Sequence, residues 1–295
     1  MSLRQTLRGT GVALVTPFRN DLSIDYDAFE KVIDHVISGG VEYVVALGTT
    51  GETPTLNKQE KIALTNFTYE KVAGRVPVVV GIGGNNTAEL VEELKSFPLD
   101  KAIAVLSASP YYSKPSQEGL FQHYKALAEV SPKPLLLYNV PGRTGRNLSA
   151  ATTVRLAKEV KNIAGIKEAS GDMAQCIEIL RDKPEDFLVV SGDDALALPQ
   201  IACGMEGIIS VAANSYPRIF TYMVRLCLEG NFKEAKVLND KLVQGYELLF
   251  AENNPAGVKA AMAEQKLIGN YLRLPVVPVS AGLQEKIAAY TKALK

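Results

Sequence analysis

The sequence has few of the residues from which metal centres and disulfide frameworks are built. It contains no tryptophan, two histidines and three cysteines in 295 residues. Two histidines are too few for a His-rich zinc site. Cys176, Cys203 and Cys227 lie far apart without a CxxC pair, each in an apolar stretch. We therefore expect all three to pack in the core of a cytoplasmic protein.

Net charge and long apolar runs are also lacking. The 32 Lys and Arg residues balance 32 Asp and Glu residues. This balance argues against a nucleic acid or an anionic membrane as a partner held by bulk charge. No apolar run reaches about 18 residues, so we expect no membrane-spanning segment. Residues 1–5 lack the apolar core of a signal peptide.

What the sequence does contain is a regular alternation of apolar, strand-like runs with amphipathic, helix-like runs. The eight strand candidates are residues 11–15, 43–47, 76–81, 102–107, 134–139, 163–170, 187–191 and 207–211. Such alternation predicts right-handed βαβ crossovers and a parallel sheet. Eight units within about 230 residues favour a (β/α)8 TIM barrel. A doubly wound sheet usually has fewer strands and a phosphate-binding glycine loop after the first, which is missing here.

The strand-like runs end at Gly230. Beyond it, residues 231–251, 255–269 and 281–294 have helical patterns. We therefore predict a barrel catalytic domain over residues 1–230 and a C-terminal three-helix domain over residues 231–295.

The sixth strand candidate carries a lysine, Lys167, near its C-terminal end. A charged ammonium group is expensive to bury in an apolar interior, so burial favours the neutral amine. A neutral amine can attack a ketone carbon and form a Schiff base. The alternative is that Lys167 lies at a rim, with its stem on apolar surface and its head in water.

Other polar side chains follow the strand candidates at the barrel end where TIM-barrel enzymes carry their chemistry. Thr49 and Thr50 lie between glycines after strand two and would suit a carboxylate. Tyr138 ends strand five, and Arg143, which can clamp a carboxylate, follows it. An ordinary capped turn and simple packing of the tyrosines are the alternatives.

Two adjacent carboxylates, Asp193 and Asp194, follow strand seven. They could bind Mg²⁺. We favour the simpler interpretation, in which they cap the next helix.

Four motifs closely resemble the dihydrodipicolinate synthase and N-acetylneuraminate lyase family. They are GTTGE at 48–52, SPYY at 109–112, YNVPGRT at 138–144 and GIKEA at 165–169. The resemblance extends over essentially the whole chain, including the helical tail. It implies an enzyme that needs neither a metal nor an organic cofactor, and a homotetramer built from tight dimers.

The resemblance also implies a role for particular residues. Lys167 would form the Schiff base with pyruvate, and Tyr138 would act as general acid and base. Protons would pass through Thr49 to Tyr112, which in relatives reaches into the neighbouring subunit's site. The residues implied to bind substrate are Thr50, Gly192 and Ile209 for pyruvate and Arg143 for the carboxylate of L-aspartate 4-semialdehyde.

Some relatives are inhibited by free lysine, and this sequence retains part of their pattern. The matching residues are Thr53, Asn85, Glu89 and Tyr111. Lys58 and Lys61 stand in the region where such relatives use a histidine. An additional ammonium group should repel a cationic ligand. We therefore expect feedback inhibition to be weak or absent.

Three functions remain open from the sequence. The first is condensation of pyruvate with L-aspartate 4-semialdehyde, which Arg143 favours. The second is another pyruvate-dependent aldolase, such as a sialate or keto-deoxy-sugar lyase. The third is a non-catalytic barrel that binds a keto acid, and the complete set of Lys167, Tyr138, Thr49 and Tyr112 argues against it. A metal-dependent lyase using Asp193 and Asp194 is a minor fourth.

Overall fold

Eight parallel strands close into a barrel in the computed structural model, which describes residues 2–294. Each strand pairs with the next along the chain, and β8 pairs with β1. The strands are β1 (Gly9–Ala13), β2 (Tyr43–Ala46), β3 (Val78–Gly81), β4 (Ala104–Ala108), β5 (Leu135–Asn139), β6 (Ile163–Glu168), β7 (Leu188–Ser191) and β8 (Gly207–Ser210). The predicted TIM barrel is confirmed.

Helices surround the barrel and continue beyond it. They are α1 (Leu3–Thr6), α2 (Tyr26–Ser38), α3 (Lys58–Val72), α4 (Thr87–Ser96), α5 (Gln117–Val130), α6 (Pro141–Thr144), α7 (Ala150–Glu159), α8 (Met173–Asp182), α9 (Ala197–Ala202), α10 (Pro217–Leu228), α11 (Phe232–Phe250), α12 (Ala256–Glu264) and α13 (Ala281–Ala293). Short 3₁₀ turns cover Thr49–Gly51, Thr53–Thr55, Asp194–Leu196 and Ala212–Asn214. Within residues 2–294, none of the helices is long and apolar enough to cross a bilayer.

Local signals set the beginnings of many of these helices. Asn57 caps α3 in a capping box with Glu60, as its spacing predicts. Asp25, Ser116 and Ser149 each accept a hydrogen bond from a backbone N–H in the first turn of α2, α5 and α7. Such caps satisfy donors that have no partner within the helix.

Two separate apolar clusters follow from the barrel geometry. One lies between the strands and the helices. The other fills the inside of the barrel and includes Tyr43, Tyr138 and Ile209, with Leu7 from the end of α1 packed into it. Side chains alternate across each strand, so alternate residues reach the interior.

Three expectations need correction. The helix predicted over residues 255–269 ends at Glu264, because Lys266 takes the left-handed conformation with φ of 60° and cannot continue it. Strand one lies at Gly9–Ala13 because Gly9 and Thr10 pair with β8, whereas the N–H of Val15 donates to Asn214 Oδ1 at 3.2 Å. Cys176 and Cys227 are buried, but Cys203 is exposed, since it follows the last residue of α9. The domain boundary after residue 230 stays a prediction.

Candidate active site

A cavity of about 500 Å³ opens where the strands of the barrel end. Several predicted site residues line it together: Thr49, Thr53, Tyr111, Tyr138, Arg143 and Lys167. The adjoining Gly81, Gly83 and Gly84 add no side chains to the cavity wall next to β3, where Ile82 also lies. The cavity is thus a mostly apolar space with a few polar groups, as ligand sites usually are.

Lys167 lies on β6 with its side chain inside the barrel, and the residue is 5% exposed. It is in register with Tyr138 on β5 and Val190 on β7. Its Nζ lies 4.5 Å from the centre of the Tyr138 ring. In the part of the chain that the structure describes, Lys167 has no carboxylate within ion-pair distance. The amine therefore lies at the wall of the cavity beside a phenol.

The next residue, Glu168, points out of the barrel. Its carboxylate accepts hydrogen bonds from Asn139 Nδ2 at 3.0 Å, Gln175 Nε2 at 3.1 Å and the N–H of Ser170 at 2.7 Å. These contacts join the end of β6 to β5 and α8. They hold the strand segment that carries Lys167.

Gly192, just after β7, is packed against Lys167. A Cβ built at this glycine would lie 2.6 Å from the Cβ of Ala169 and 2.9 Å from the Cε of Lys167. Both distances are shorter than normal contacts, so any other residue here would displace the lysine. Ile209 is fully buried in the inner cluster of the barrel. Neither residue is among those that line the cavity.

Thr50 is buried at the 3₁₀ turn after β2 and, like Gly192 and Ile209, is not among the residues that line the cavity. Its Oγ1 accepts a hydrogen bond from Asn254 Nδ2 at 3.2 Å, and the backbone oxygen of Asn254 accepts one from Arg143 Nη2 at 3.2 Å. One residue between α11 and α12 thus contacts both predicted carboxylate-binding side chains.

The predicted proton relay is only partly assembled within one chain. Tyr138 and Thr49 line the same cavity, but no hydrogen bond joins their side chains among residues 2–294. Tyr112 is 89% exposed and lies outside the lining of the cavity, in the left-handed conformation with φ of 71°. Its hydroxyl faces solvent in this chain.

The residues predicted to bind lysine are not all in one place. Thr53 and Tyr111 line the cavity, whereas Asn85 and Glu89 are exposed and lie outside its lining. Lys61 also lines the cavity, and Lys58 is exposed at the first position of α3.

The carboxylate pair after β7 has structural contacts. Asp193 caps the following turn by accepting from the N–H of Ala195 at 3.0 Å. Asp194 is buried and accepts from Ser210 Oγ and from the N–H groups of Val211 and Ala212. Burial raises the pKa of Asp194 to about 6, against the effect of these donors. Asp194 therefore ties the end of β7 to the end of β8.

Sequence reasoning missed the contacts that the C-terminal helices make with the site. Lys259 on α12 is fully buried and pairs with Glu52 of the GTTGE motif, and Glu52 also accepts from the N–H of Arg273 at 3.1 Å. The guanidinium of Arg273 in turn pairs with Glu60 at 2.6 Å. The break between the predicted helices at residues 252–254 was the one local sign of Asn254, and nothing local pointed to its partners.

A closed parallel barrel with a buried lysine at a strand end, facing a cavity, defines a class of barrel enzymes whose chemistry lies at the C-terminal ends of the strands. Within that class, this chain belongs to the dihydrodipicolinate synthetase family, whose model matches residues 6–294.

Relatives match over nearly the full length. The 4-hydroxy-tetrahydrodipicolinate synthase of Flavobacterium psychrophilum is 49% identical over 290 residues, covering 98% of this chain and 99% of the relative. The crystal structure of dihydrodipicolinate synthase from Thermotoga maritima has a TM-score of 0.95 at 38% identity, covering 98% of this chain and 99% of that one. A DHDPS from Cyanidioschyzon merolae with lysine bound has a TM-score of 0.93 at 34% identity and covers 98% of each chain.

Proposed function

We propose that this chain condenses pyruvate with L-aspartate 4-semialdehyde to form 4-hydroxy-tetrahydrodipicolinate, in the synthesis of lysine and diaminopimelate. The main support from the structure is the buried amine of Lys167 over the Tyr138 ring, in a cavity that Arg143 also lines. The full-length similarity to a 4-hydroxy-tetrahydrodipicolinate synthase points to the same reaction.

The first half of the reaction uses Lys167. Its amine attacks C2 of pyruvate, water leaves, and an imine forms between Nζ and C2. The protonated imine withdraws electrons from the adjacent methyl group, so a methyl proton can leave to give an enamine. Because the lysine itself is the electron sink, this proposal needs neither a metal nor an organic cofactor.

The second half joins the two substrates. The enamine carbon attacks the aldehyde carbon, and the aldehyde oxygen takes up a proton. The amino group of the second substrate then attacks C2 and displaces Lys167, which closes the ring and frees the enzyme. Tyr138, whose ring centre lies 4.5 Å from Lys167 Nζ, would give and take these protons. Thr49 and the Tyr112 of a neighbouring subunit would connect it to bulk water.

Substrate binding in this proposal uses carboxylate recognition at two points. Thr50, at the turn after β2, would donate to the carboxylate of pyruvate, beside the positions of Gly192 and Ile209. Arg143 would bind the carboxylate of the semialdehyde with parallel hydrogen bonds. The two anchors are joined through Asn254.

A substrate panel tests this function. Purified enzyme is given pyruvate with L-aspartate 4-semialdehyde, N-acetylmannosamine or short sugar aldehydes, and loss of pyruvate is followed. We expect turnover with the semialdehyde and none in a Lys167→Ala variant. Preferred turnover of a sugar aldehyde would favour another pyruvate-dependent aldolase, and binding of pyruvate without turnover of any aldehyde would favour a non-catalytic barrel.

The oligomer and the compartment belong to the same proposal. We propose a homotetramer of tight dimers, because exposed Tyr112 has its role only if a second subunit brings it to the cavity. The cytoplasm is proposed because relatives of the same length are biosynthetic enzymes.

Weak or absent inhibition by lysine is also proposed. The support is Lys61, which lines the cavity together with Thr53 and Tyr111 and whose positive charge would repel a cationic ligand. Loss of most activity at low lysine concentration in a purified-enzyme assay would refute this.

A further inference from the structure

Asn254 lies in the short connection between α11 and α12, far in sequence from the barrel residues that it contacts. It is 6% exposed. Its side chain donates to Thr50 Oγ1 at 3.2 Å, and its backbone oxygen accepts from Arg143 Nη2 at 3.2 Å. A single residue of the C-terminal part therefore adjoins both predicted carboxylate anchors.

The direction of the first hydrogen bond has a chemical consequence. A threonine hydroxyl has one proton to donate and two lone pairs that accept. Because Asn254 Nδ2 is the donor, it occupies a lone pair of Thr50 Oγ1 and leaves the hydroxyl proton free. Within residues 2–294, that proton is donated to no other group.

We propose that Asn254 is a positioning residue, which holds the Thr50 hydroxyl as a donor toward the carboxylate of the bound keto acid. The inference rests on the proposed function, in which Thr50 binds the carboxylate of pyruvate. It adds a role for the C-terminal part of the chain, which acts on the first substrate through Thr50.

The other half of the Asn254 amide supports this role. Its Oδ1 is buried and has no hydrogen-bond partner among the described residues. An unpaired buried oxygen costs stability. A well-packed apolar residue would avoid that cost, so packing alone does not explain an amide here. The hydrogen bond that Asn254 Nδ2 donates to Thr50 explains why an amide is present.

The hydrogen bond from Arg143 to the backbone of Asn254 lets the two substrates be distinguished in a test. Arg143 is held by the backbone oxygen of Asn254, which any replacement of the side chain retains. A change at Asn254 should therefore weaken the use of pyruvate and leave the use of the semialdehyde nearly unchanged. A general loss of structure would affect both.

The decisive variant is Asn254→Asp. A carboxylate can only accept, so it would take the Thr50 proton and place a negative charge beside a negatively charged substrate. The readout is the pyruvate concentration that gives half-maximal borohydride trapping on Lys167, which requires no aldehyde. We expect it to rise roughly tenfold or more for Asn254→Asp and a few-fold for Asn254→Ala, since hydrogen bonds to charged groups are the stronger ones. For the uncharged change Asn254→Ala, the KM for the semialdehyde at saturating pyruvate should stay within about twofold.

Two further variants serve as controls. Asn270→Asp makes the same change at another part-buried asparagine of the C-terminal part, whose Nδ2 contacts Gln284 instead. It should leave half-maximal trapping unchanged. In a Thr50→Val background, Asn254→Ala should add almost nothing, because its partner is already lost.

The outcomes separate this inference from the proposed function. If the unmodified enzyme forms no trapped pyruvate adduct on Lys167, the proposed function fails. If it does, and Asn254→Asp leaves the pyruvate dependence unchanged, the inference is wrong. Should Asn254→Asp fail to fold, the Thr50→Val cycle decides: a full additional effect of Asn254→Ala in that background would overturn the inference.

Discussion

Lys167 and Glu168 are neighbours in β6, yet their side chains lie on opposite sides of the barrel wall. Glu168 is surrounded by hydrogen-bond donors outside the barrel, whereas Lys167 enters the interior cavity. The alternation of a strand therefore separates two opposite charges that are adjacent in sequence. Were Glu168 to face the same side, it would pair with the ammonium and make the amine a poorer nucleophile.

Replacing Tyr138 tests its proposed proton transfer. Tyr138→Phe keeps the ring that packs beside Lys167 and removes only the hydroxyl. We expect kcat to fall by about 10²- to 10⁴-fold, the usual contribution of a general acid or base. Steady-state kinetics with both substrates measures this.

Tyr43→Phe is the matched control, since Tyr43 is a second buried tyrosine in the same inner cluster. It should change kcat by less than about threefold, because the one hydrogen-bond partner of its hydroxyl within residues 2–294 is the backbone oxygen of Ile208 at 3.5 Å. Equal losses in the two variants would contradict a special role for Tyr138.

Asp194 gives the stability a specific pH dependence. Burial raises its pKa from 3.8 to about 6, so between these values the folded state binds more protons than the unfolded state. Stability contributed by this group is therefore fully present below about pH 4 and is lost as pH rises through about 6. At roughly 1.4 kcal/mol per pKa unit, the loss is about 3 kcal/mol.

The Asp194→Asn variant isolates this effect. Relative to the variant, the unmodified protein should lose about 3 kcal/mol of unfolding free energy between pH 4 and pH 7. Urea unfolding at several pH values provides the comparison. A difference between the two proteins that is constant with pH, or that grows in the opposite direction, would show that Asp194 ionises at its ordinary pKa or below.

At the scale of residues, sequence reasoning found the side chains that carry distinctive chemistry. Lys167, Tyr138, Arg143 and Thr49 were predicted from their types and their places at strand ends, and all four line one cavity. Asn254 was not predicted, because an asparagine before a proline is typical of any turn. Its contacts depend on how the chain folds back over about 200 residues.

At the scale of elements, hydrophobic periodicity located the strands and most of the long helices to within about two residues of their observed ends. The exception is α12, which ends at Glu264, five residues before the predicted end at residue 269. It missed α1 and α6, each of four residues. A segment of about one turn is too short for periodicity to show. The shift of β1 has another cause, since Gly9 and Thr10 become strand residues only by pairing with β8.

The packing of α12 against the turn after β2 also lay beyond local patterns. It depends on the ion pair of Lys259 with Glu52, in which Lys259 is 0% exposed. Burial lowers the pKa of Lys259 to about 8 even beside this carboxylate. Glu52 immediately follows the turn that carries Thr49 and Thr50, so this pair fixes one end of the proposed substrate site.

Breaking the pair should destabilise the protein strongly. Lys259→Met leaves Glu52 buried without its counter-ion, and we expect a loss of about 3–5 kcal/mol in urea unfolding. Adding Glu52→Gln to Lys259→Met should restore much of the lost stability, because the unpaired buried charge is then removed.

The control is the exposed pair of Lys236 and Asp240 on the adjacent α11. Lys236→Met should change stability by less than about 1 kcal/mol, as is usual for exposed pairs. Similar losses for Lys259→Met and Lys236→Met would show that the buried pair does not hold α12 to the barrel.

At the scale of the whole molecule, one chain contains most of the proposed site, and Tyr112 is the exception. The residue is 89% exposed. A residue that acted in the cavity of its own chain would line that cavity, and Tyr112 does not. A large exposed aromatic residue next to a functional cavity is typical of an interface with another copy.

Complementation between subunits tests this arrangement. A Lys167→Ala subunit and a Tyr112→Phe subunit should each have little activity alone. Co-expressed as a mixed oligomer, they should regain activity well above either parent, because one cavity in each mixed dimer would receive Lys167 from one subunit and Tyr112 from the other. Activity equal to the average of the two parents would contradict a contribution of Tyr112 across the interface.

The central claim is that the amine of Lys167 bonds covalently to a keto acid. Its most direct test is reduction with borohydride in the presence of pyruvate, followed by mass mapping of the peptides. The account predicts the mass of a reduced pyruvyl group on the peptide that contains Lys167, and none after Lys167→Ala. An unmodified Lys167 peptide, or a label on a different lysine such as Lys61, would contradict it.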